Sequence, residues 1–170
     1  MRGNSAMTRN QLIRPATIAD VPDIHRLVNT FARRNLMLPR VINDIYERVY
    51  EFIVLRTGRG RSARLVGCVA LHPTWTGRPG DVMGEVRSLA VERSVQGRGY
   101  GRTLVSKAHE TARALGISKL FALTYVPDFF VKLGYRIVPR ESLPHKVWTE
   151  CINCPFFMTC KETPVVCDLE

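Results

Sequence analysis

Glu85-Val86-Arg87-Ser88-Leu89-Ala90-Val91, followed a few residues later by Gln96-Gly97-Arg98-Gly99-Tyr100-Gly101-Arg102, decides how this chain is read. An apolar strand runs into a glycine-rich bend and a helix opens behind it. Gly97, Gly99 and Gly101 sit at alternate positions, so backbone N–H groups can crowd around an anion while the helix adds the positive end of its dipole. The helix rests on Leu104, Val105, Ala108, Ala112 and Leu115, recurring at i, i+3, i+4 spacing until Gly116 stops the run. A diphosphate is expected near residues 96 to 102.

Two commoner glycine signatures do not fit. A Walker loop needs Lys and then Ser or Thr after its last glycine, and Arg102-Thr103 stands there instead. A dinucleotide fingerprint needs a G-x-G-x-x-G spacing and an acidic residue roughly 20 positions on. Here the glycines alternate, and the corresponding region reads Lys119-Leu120-Phe121.

The pattern on either side predicts a strand at 11–15, a helix from Asp20 to Phe31 and a second helix at 43–50. Strands follow at 52–56 and 64–71, then a Pro- and Gly-rich turn over His72 to Gly80. The long strand 82–91, the phosphate loop, helix 99–115, strand 119–124, a short helix at 128–133 and a strand at 135–138 complete the series. This order predicts an α/β fold, one mixed sheet with helices on both faces. The organisation expected is a lead-in over 1–10, a single domain over 11–150 and a Cys-rich tail over 151–170 packed on it or extending it.

The 170 residues carry 45% apolar and 24% charged side chains, as expected of one globular domain with a sizeable core. No apolar run approaches the roughly 18 residues that span a bilayer, and the N-terminus has no hydrophobic stretch of a secretory signal. A cytoplasmic setting is the expectation. The net charge of +10 suits nucleic acid or small anions alike. Its densest cluster, Arg56, Arg59, Arg61 and Arg64, reads as a solvated hairpin tip, and no aromatic residues interleave with it for base stacking. Nucleic acid is therefore not the expected partner.

Cys151, Cys154, Cys160 and Cys167 are spaced C-x2-C-x5-C-x6-C. Four thiolates can hold zinc, but a second C-x-x-C is missing. The uses left open are zinc, a redox or dimer contact, and plain reduced thiols.

Gln96, Gly99 and Gly101 form a Q-x-x-G-x-G pattern after the strand ending Leu89-Ala90-Val91. Together with Leu12-Ile13-Arg14-Pro15-Ala16 and Phe129-Phe130-Val131-Lys132-Leu133-Gly134-Tyr135, it resembles the GNAT acetyltransferases. The resemblance implies the GNAT fold, a mostly antiparallel mixed sheet flanked by helices, with acetyl-CoA as cosubstrate. It assigns the coenzyme to Leu89, Ala90, Val91, Gln96, Gly97, Arg98, Gly99, Tyr100, Gly101 and Arg102. It also gives the Leu89 N–H the thioester carbonyl, Leu89 and Val91 the pantetheine, and Glu85 the role of general base. By the period of two, Glu85 and Arg87 share a face, and an adjacent Arg depresses a carboxylate's pKa. Phe130 stands where many members carry a proton-donating Tyr, with Tyr125 the nearest alternative.

The strings at 13–16, 38–40, 85–91, 119–124 and 143–148, with the C-x-x-C-P tail, resemble more closely the short stand-alone N-acetylglutamate synthases. This implies acetyl transfer to the α-amine of an amino acid, L-glutamate, for arginine synthesis, by a homodimer. Arg40, Arg87, Tyr125 and Lys146 are the candidate acceptor contacts, since a dicarboxylate favours guanidinium partners. Two other readings stay open. One is a GNAT enzyme for a protein N-terminus, polyamine or drug amine; the other is a CoA- or metal-dependent nucleic-acid-binding regulator.

Overall fold

The computed structural model describes residues 11–143, 151, 152, 154 and 157–169. Lys146 and the lead-in 1–10 lie outside them. Seven strands form one sheet in the order β1-β2-β3-β4-β5-β7-β6. They are β1 (Gln11–Pro15), β2 (Phe52–Thr57), β3 (Arg64–Trp75), β4 (Val82–Val91), β5 (Lys119–Thr124), β6 (Arg136–Ile137) and β7 (Thr163–Asp168). Every neighbouring pair is antiparallel except β4 and β5. This is the mixed α/β sheet of the sequence reading.

Helix α1 (Val21–Ala32) buries Val21, Ile24, Leu27 and Val28, one stripe at helical period. That stripe packs with the six-residue α2 (Ile42–Glu47) on a core built from Val54, Cys68, Ala70 and Ala90. The opposite sheet face carries α3 (Tyr100–Ala114) through Leu104, Val105, Ala108 and Ala112, and α4 (Pro127–Val131) through Phe130. Helices thus cover both faces.

Two features of β4 open the site. It pairs with β5 only at Gly84–Leu120 and Glu85–Phe121, yet both strands continue, so they part beyond Glu85. On its other side the pairing jumps from Ala70–Arg87 to Cys68–Ala90, leaving Ser88 and Leu89 opposite Val69 alone. This is a bulge, and Ser88 holds φ 53° at its centre. For a non-glycine residue that is a strained backbone.

Several expectations are corrected. The turn begins later than His72: β3 runs on to Trp75, and only Thr76 to Asp81 turns, closed by Thr76 N–H to Asp81 O at 3.2 Å. Pro73 is tolerated because β2 stops pairing at Ala70. The helix expected at 43–50 divides into α2 and a separate 3-10 turn, Val49–Glu51. The strand at 135–138 shrinks to the two residues of β6, and β7, which no pattern had marked, inserts between β5 and β6. Arg56 is not solvated; it binds Asp20 at 3.1 Å and Asp23 at 2.9 Å, pinning α1 to β2.

Candidate active site

Where β4 and β5 part, a cavity of about 1140 Å³ runs through the sheet. This exceeds the ~300–1,000 Å³ of ordinary small-molecule sites, and two substrates are a natural occupancy. Its walls come from both faces: the glycine loop and α4 on one, the segment between α1 and α2 on the other.

At the first end the bend is held by Gln96, whose side-chain amide donates to Val91 O at 2.9 Å. Gly97 (φ 79°) and Gly99 (φ 82°) take left-handed conformations that side chains disfavour, and Gly99 caps α3. The first N–H groups of that fifteen-residue helix therefore face the cavity. Arg93, Arg102 and Lys132 line the same end, giving it the positive charge a diphosphate needs. Gly101 is glycine for a different reason, because a Cβ there would meet the Phe129 ring at 3.2 Å.

Of the expected coenzyme residues, Leu89, Ala90, Val91, Gln96, Gly97, Gly99, Tyr100, Gly101 and Arg102 line the cavity. Arg98 does not. The Tyr100 side chain is buried and its hydroxyl accepts from Gln11 at 3.0 Å, so its main chain is what faces the loop. The bulge reorients the backbone of Leu89 where β5 no longer covers it.

The other end is polar. Arg40 is held below the bulge: its Nε donates to Ser88 Oγ at 3.3 Å and its Nη1 to Asp44 at 3.0 Å. Asn29 clamps the Arg40 backbone, donating to its carbonyl at 2.9 Å and accepting from its N–H at 3.2 Å. Burial, and then the neighbouring Arg87 charge, pull the Arg40 pKa below its ordinary value against the attraction of Asp44 and Glu85. Arg87 Nη1 reaches Glu85 Oε2 at 3.4 Å and its Nη2 reaches the buried Glu51 at 3.0 Å. Glu85, Arg87 and Tyr125 line the cavity with Arg40, as the sequence reading grouped them. Lys146 is outside the described residues.

Sequence reasoning missed Glu51, His72, Arg140 and Glu162. Arg140 Nη2 donates to Glu162 O at 2.7 Å and to Cys160 Sγ at 3.3 Å. Burial raises the Glu162 pKa and Glu85 adds to it, although the Cys160 thiol donates to its carboxylate and Arg140 opposes the shift. Burial, and then Glu162, also raise the Tyr125 pKa, keeping the phenol protonated. A polar residue just before a short apolar run was the one available signal for Glu162.

The four-thiol zinc site is not formed. Cys151, Cys154 and Cys160 line the cavity, whereas Cys167 packs into the core under α3 on the opposite face of β7. Among the described residues no group of His, Cys, Asp and Glu is arranged to hold a metal, and no helix is long and apolar enough to cross a membrane.

A cleft that turns glycine-loop and helix-start N–H groups inward, carries a strand bulge and gathers a carboxylate with arginines beyond it fits an acyl-CoA-dependent acyltransferase. The chain belongs to the acetyltransferase (GNAT) family, whose sequence profile matches residues 21–135. It is an acetyl-CoA-dependent N-acetyltransferase. It is 33% identical over 91% of its length to an uncharacterized N-acetyltransferase of Chlorobaculum tepidum, 94% of which is covered. It is 32% identical over 82% of its length to the amino-acid acetyltransferase of Mycobacterium tuberculosis, covering 76% of that protein. The structure superposes with TM-score 0.82 on N-acetylglutamate synthase from Neisseria gonorrhoeae complexed with coenzyme A and N-acetyl-glutamate, at 26% identity. That match covers 96% of this chain and 36% of the synthase.

Proposed function

We propose that this enzyme acetylates the α-amine of an amino acid, with L-glutamate as the acceptor, as the first step of arginine synthesis in the cytoplasm. The observation that carries the reading is the distribution of charge along the cleft. Helix N–H groups with Arg93 and Arg102 flank the glycine bend, while Arg40 and Arg87 lie near Glu85 and Arg140 holds Glu162 in the same cleft. An amino acid placed there offers its carboxylates to guanidinium groups and its amine to Glu85. The likeness to relatives named amino-acid acetyltransferase supports this.

In this reading the bound thioester supplies an activated acetyl carbonyl. The Leu89 N–H, at the bulge, polarises that carbonyl. Glu85 takes a proton from the attacking amine, directly or through one water, as the C–N bond forms and the C–S bond breaks. Buried Phe130 has no proton to give; the departing thiolate is a tolerable leaving group and takes its proton from solvent in the cleft. The Arg40, Arg87 and Tyr125 side chains orient the acceptor.

Incubating the protein with acetyl-CoA and a panel of amino acids, peptides and polyamines while following released thiol tests this. Release with glutamate supports it. Release with peptides or polyamines alone assigns the acceptor elsewhere, and silence with glutamate defeats the proposed acceptor.

A further inference from the structure

We infer that Glu51 is a positioning residue that keeps Glu85 basic by dividing Arg87 between two carboxylates. This rests on the reading of Glu85 as proton acceptor.

Glu51 closes the 3-10 turn before β2, and its side chain is 4% exposed. One oxygen lies 2.8 Å from His72 Nδ1 and the other accepts from Arg87 Nη2 at 3.0 Å. The second amino group of the same guanidinium, Nη1, is 3.4 Å from Glu85. His72 stands directly across the β3–β4 ladder from Glu85, so Glu51 reaches the reacting carboxylate's surroundings from two strands while lying outside the cavity wall.

An arginine devoted to Glu85 would lower its pKa and weaken it as a base. Glu51 changes that balance. Its contact with Arg87 is shorter and more deeply buried, where charge is screened least, so much of the guanidinium charge is neutralised before Glu85 meets it. Glu51 can do this because it stays ionised. Burial alone would raise its pKa, but the hydrogen bond and charge of His72, and then Arg87, hold it below the ordinary carboxylate value.

The other groups facing Glu85 are fixed in the comparison. Arg40 favours its ionised form from the segment before α2. Glu162 and Cys151 face it from the C-terminal segment, and Glu162 opposes its ionisation. Substituting Glu51 leaves all of these in place.

The test is Glu51→Gln, read by the Glu85 carboxyl titration in carbon-13 NMR, with that resonance assigned by its loss in Glu85→Gln. The pH dependence of kcat/KM for acetyl transfer to the accepted amino acid is the second readout. The Glu85 midpoint and the acidic limb of the rate profile are both expected to fall by about 0.5–1 pH unit, with the KM for acetyl-CoA unchanged. Glu51→Asp keeps the charge but withdraws it by one methylene, and moves both readouts the same way by less. An unmoved midpoint in whichever variant folds overturns the inference. An acidic limb that survives in Glu85→Gln instead removes Glu85 as the base, and the role assigned to Glu51 goes with it; the NMR midpoint distinguishes the two failures.

Discussion

Arg40 donates through Nε to Ser88 Oγ at 3.3 Å, fastening the acceptor-side cation to the residue that forms the bulge. The strand irregularity proposed to present backbone to the donor also fixes the guanidinium proposed to grip the acceptor. Donor and acceptor geometry therefore share one anchor.

Replacing Arg40 by Ala should raise the acceptor KM about 10- to 100-fold, the size of a lost charge-assisted contact, and leave the KM for acetyl-CoA nearly unchanged. Asp44 retains Arg48 at 3.2 Å as a partner, so folding should survive. Steady-state kinetics with each substrate varied checks this, and an unchanged acceptor KM removes Arg40 from the binding site.

Gly99→Ala and Gly101→Ala should fail for different reasons. At Gly99 an added Cβ has open space, but φ 82° costs a side chain about 1 kcal/mol, so CoA binding should weaken severalfold in calorimetry. At Gly101 the obstacle is the Phe129 ring at 3.2 Å. Phe129→Ala should then relieve the Gly101→Ala defect and not the Gly99→Ala defect; equal relief of both would refute the distinction.

Asp20, 1% exposed, receives Arg14 at 2.7 Å and Arg56 at 3.1 Å. Burial works against its ionised form, but Arg14 and Thr17 together bring its pKa far below the ordinary value. A depressed carboxylate contributes stability above its unfolded-state pKa of about 4, and that stability is lost as pH falls through the folded value. Asp20→Asn should cost about 3 kcal/mol near pH 7, with the gap to the wild type narrowing as pH falls below about 4. Denaturant melts at several pH values decide it, and a gap independent of pH would show that the charge is immaterial.

Burial pushes the Cys68 thiol up to about 12, and burial followed by Glu162 pushes Cys151 up to about 11. Thiolates are the reactive form, so both should alkylate slowly at neutral pH. Cys68 should require unfolding. Cys151 lines the cleft, so bound CoA should slow its labelling further. Peptide mass spectrometry of iodoacetamide-treated protein gives the order, and labelling of Cys151 indifferent to CoA would place it away from the ligand.

Much of the sheet was legible. The apolar strand end Leu89-Ala90-Val91 running into the glycine bend and the helical stripe of Leu104, Val105, Ala108 and Ala112 are local patterns, and β4 and α3 follow them. What stayed hidden lacked such a pattern. Residues 163–168 carry a proline at their second position and have no alternation, so β7 is recognisable only as the filler between β5 and β6. His72 and Pro73 read as a turn because the end of β2 pairing, which makes a proline harmless there, is not visible in β3 itself. Arg56 read as solvated because its partners Asp20 and Asp23 lie more than thirty residues away in the chain.

The glycine bend and the helix start behind it were readable from local sequence. Strand, bend and helix start are contiguous, and glycine dihedrals with an N-terminal dipole act over a few residues. The polar end of the cleft is different: Arg40 and Tyr125 could be named from sequence, but Glu51, His72 and Glu162 join them from separate segments that only folding brings together. Their meeting depends on strand register, on a bulge at Ser88 and on β4 parting from β5 after Glu85, because long-range pairing sets the distances between side chains that local propensity leaves free.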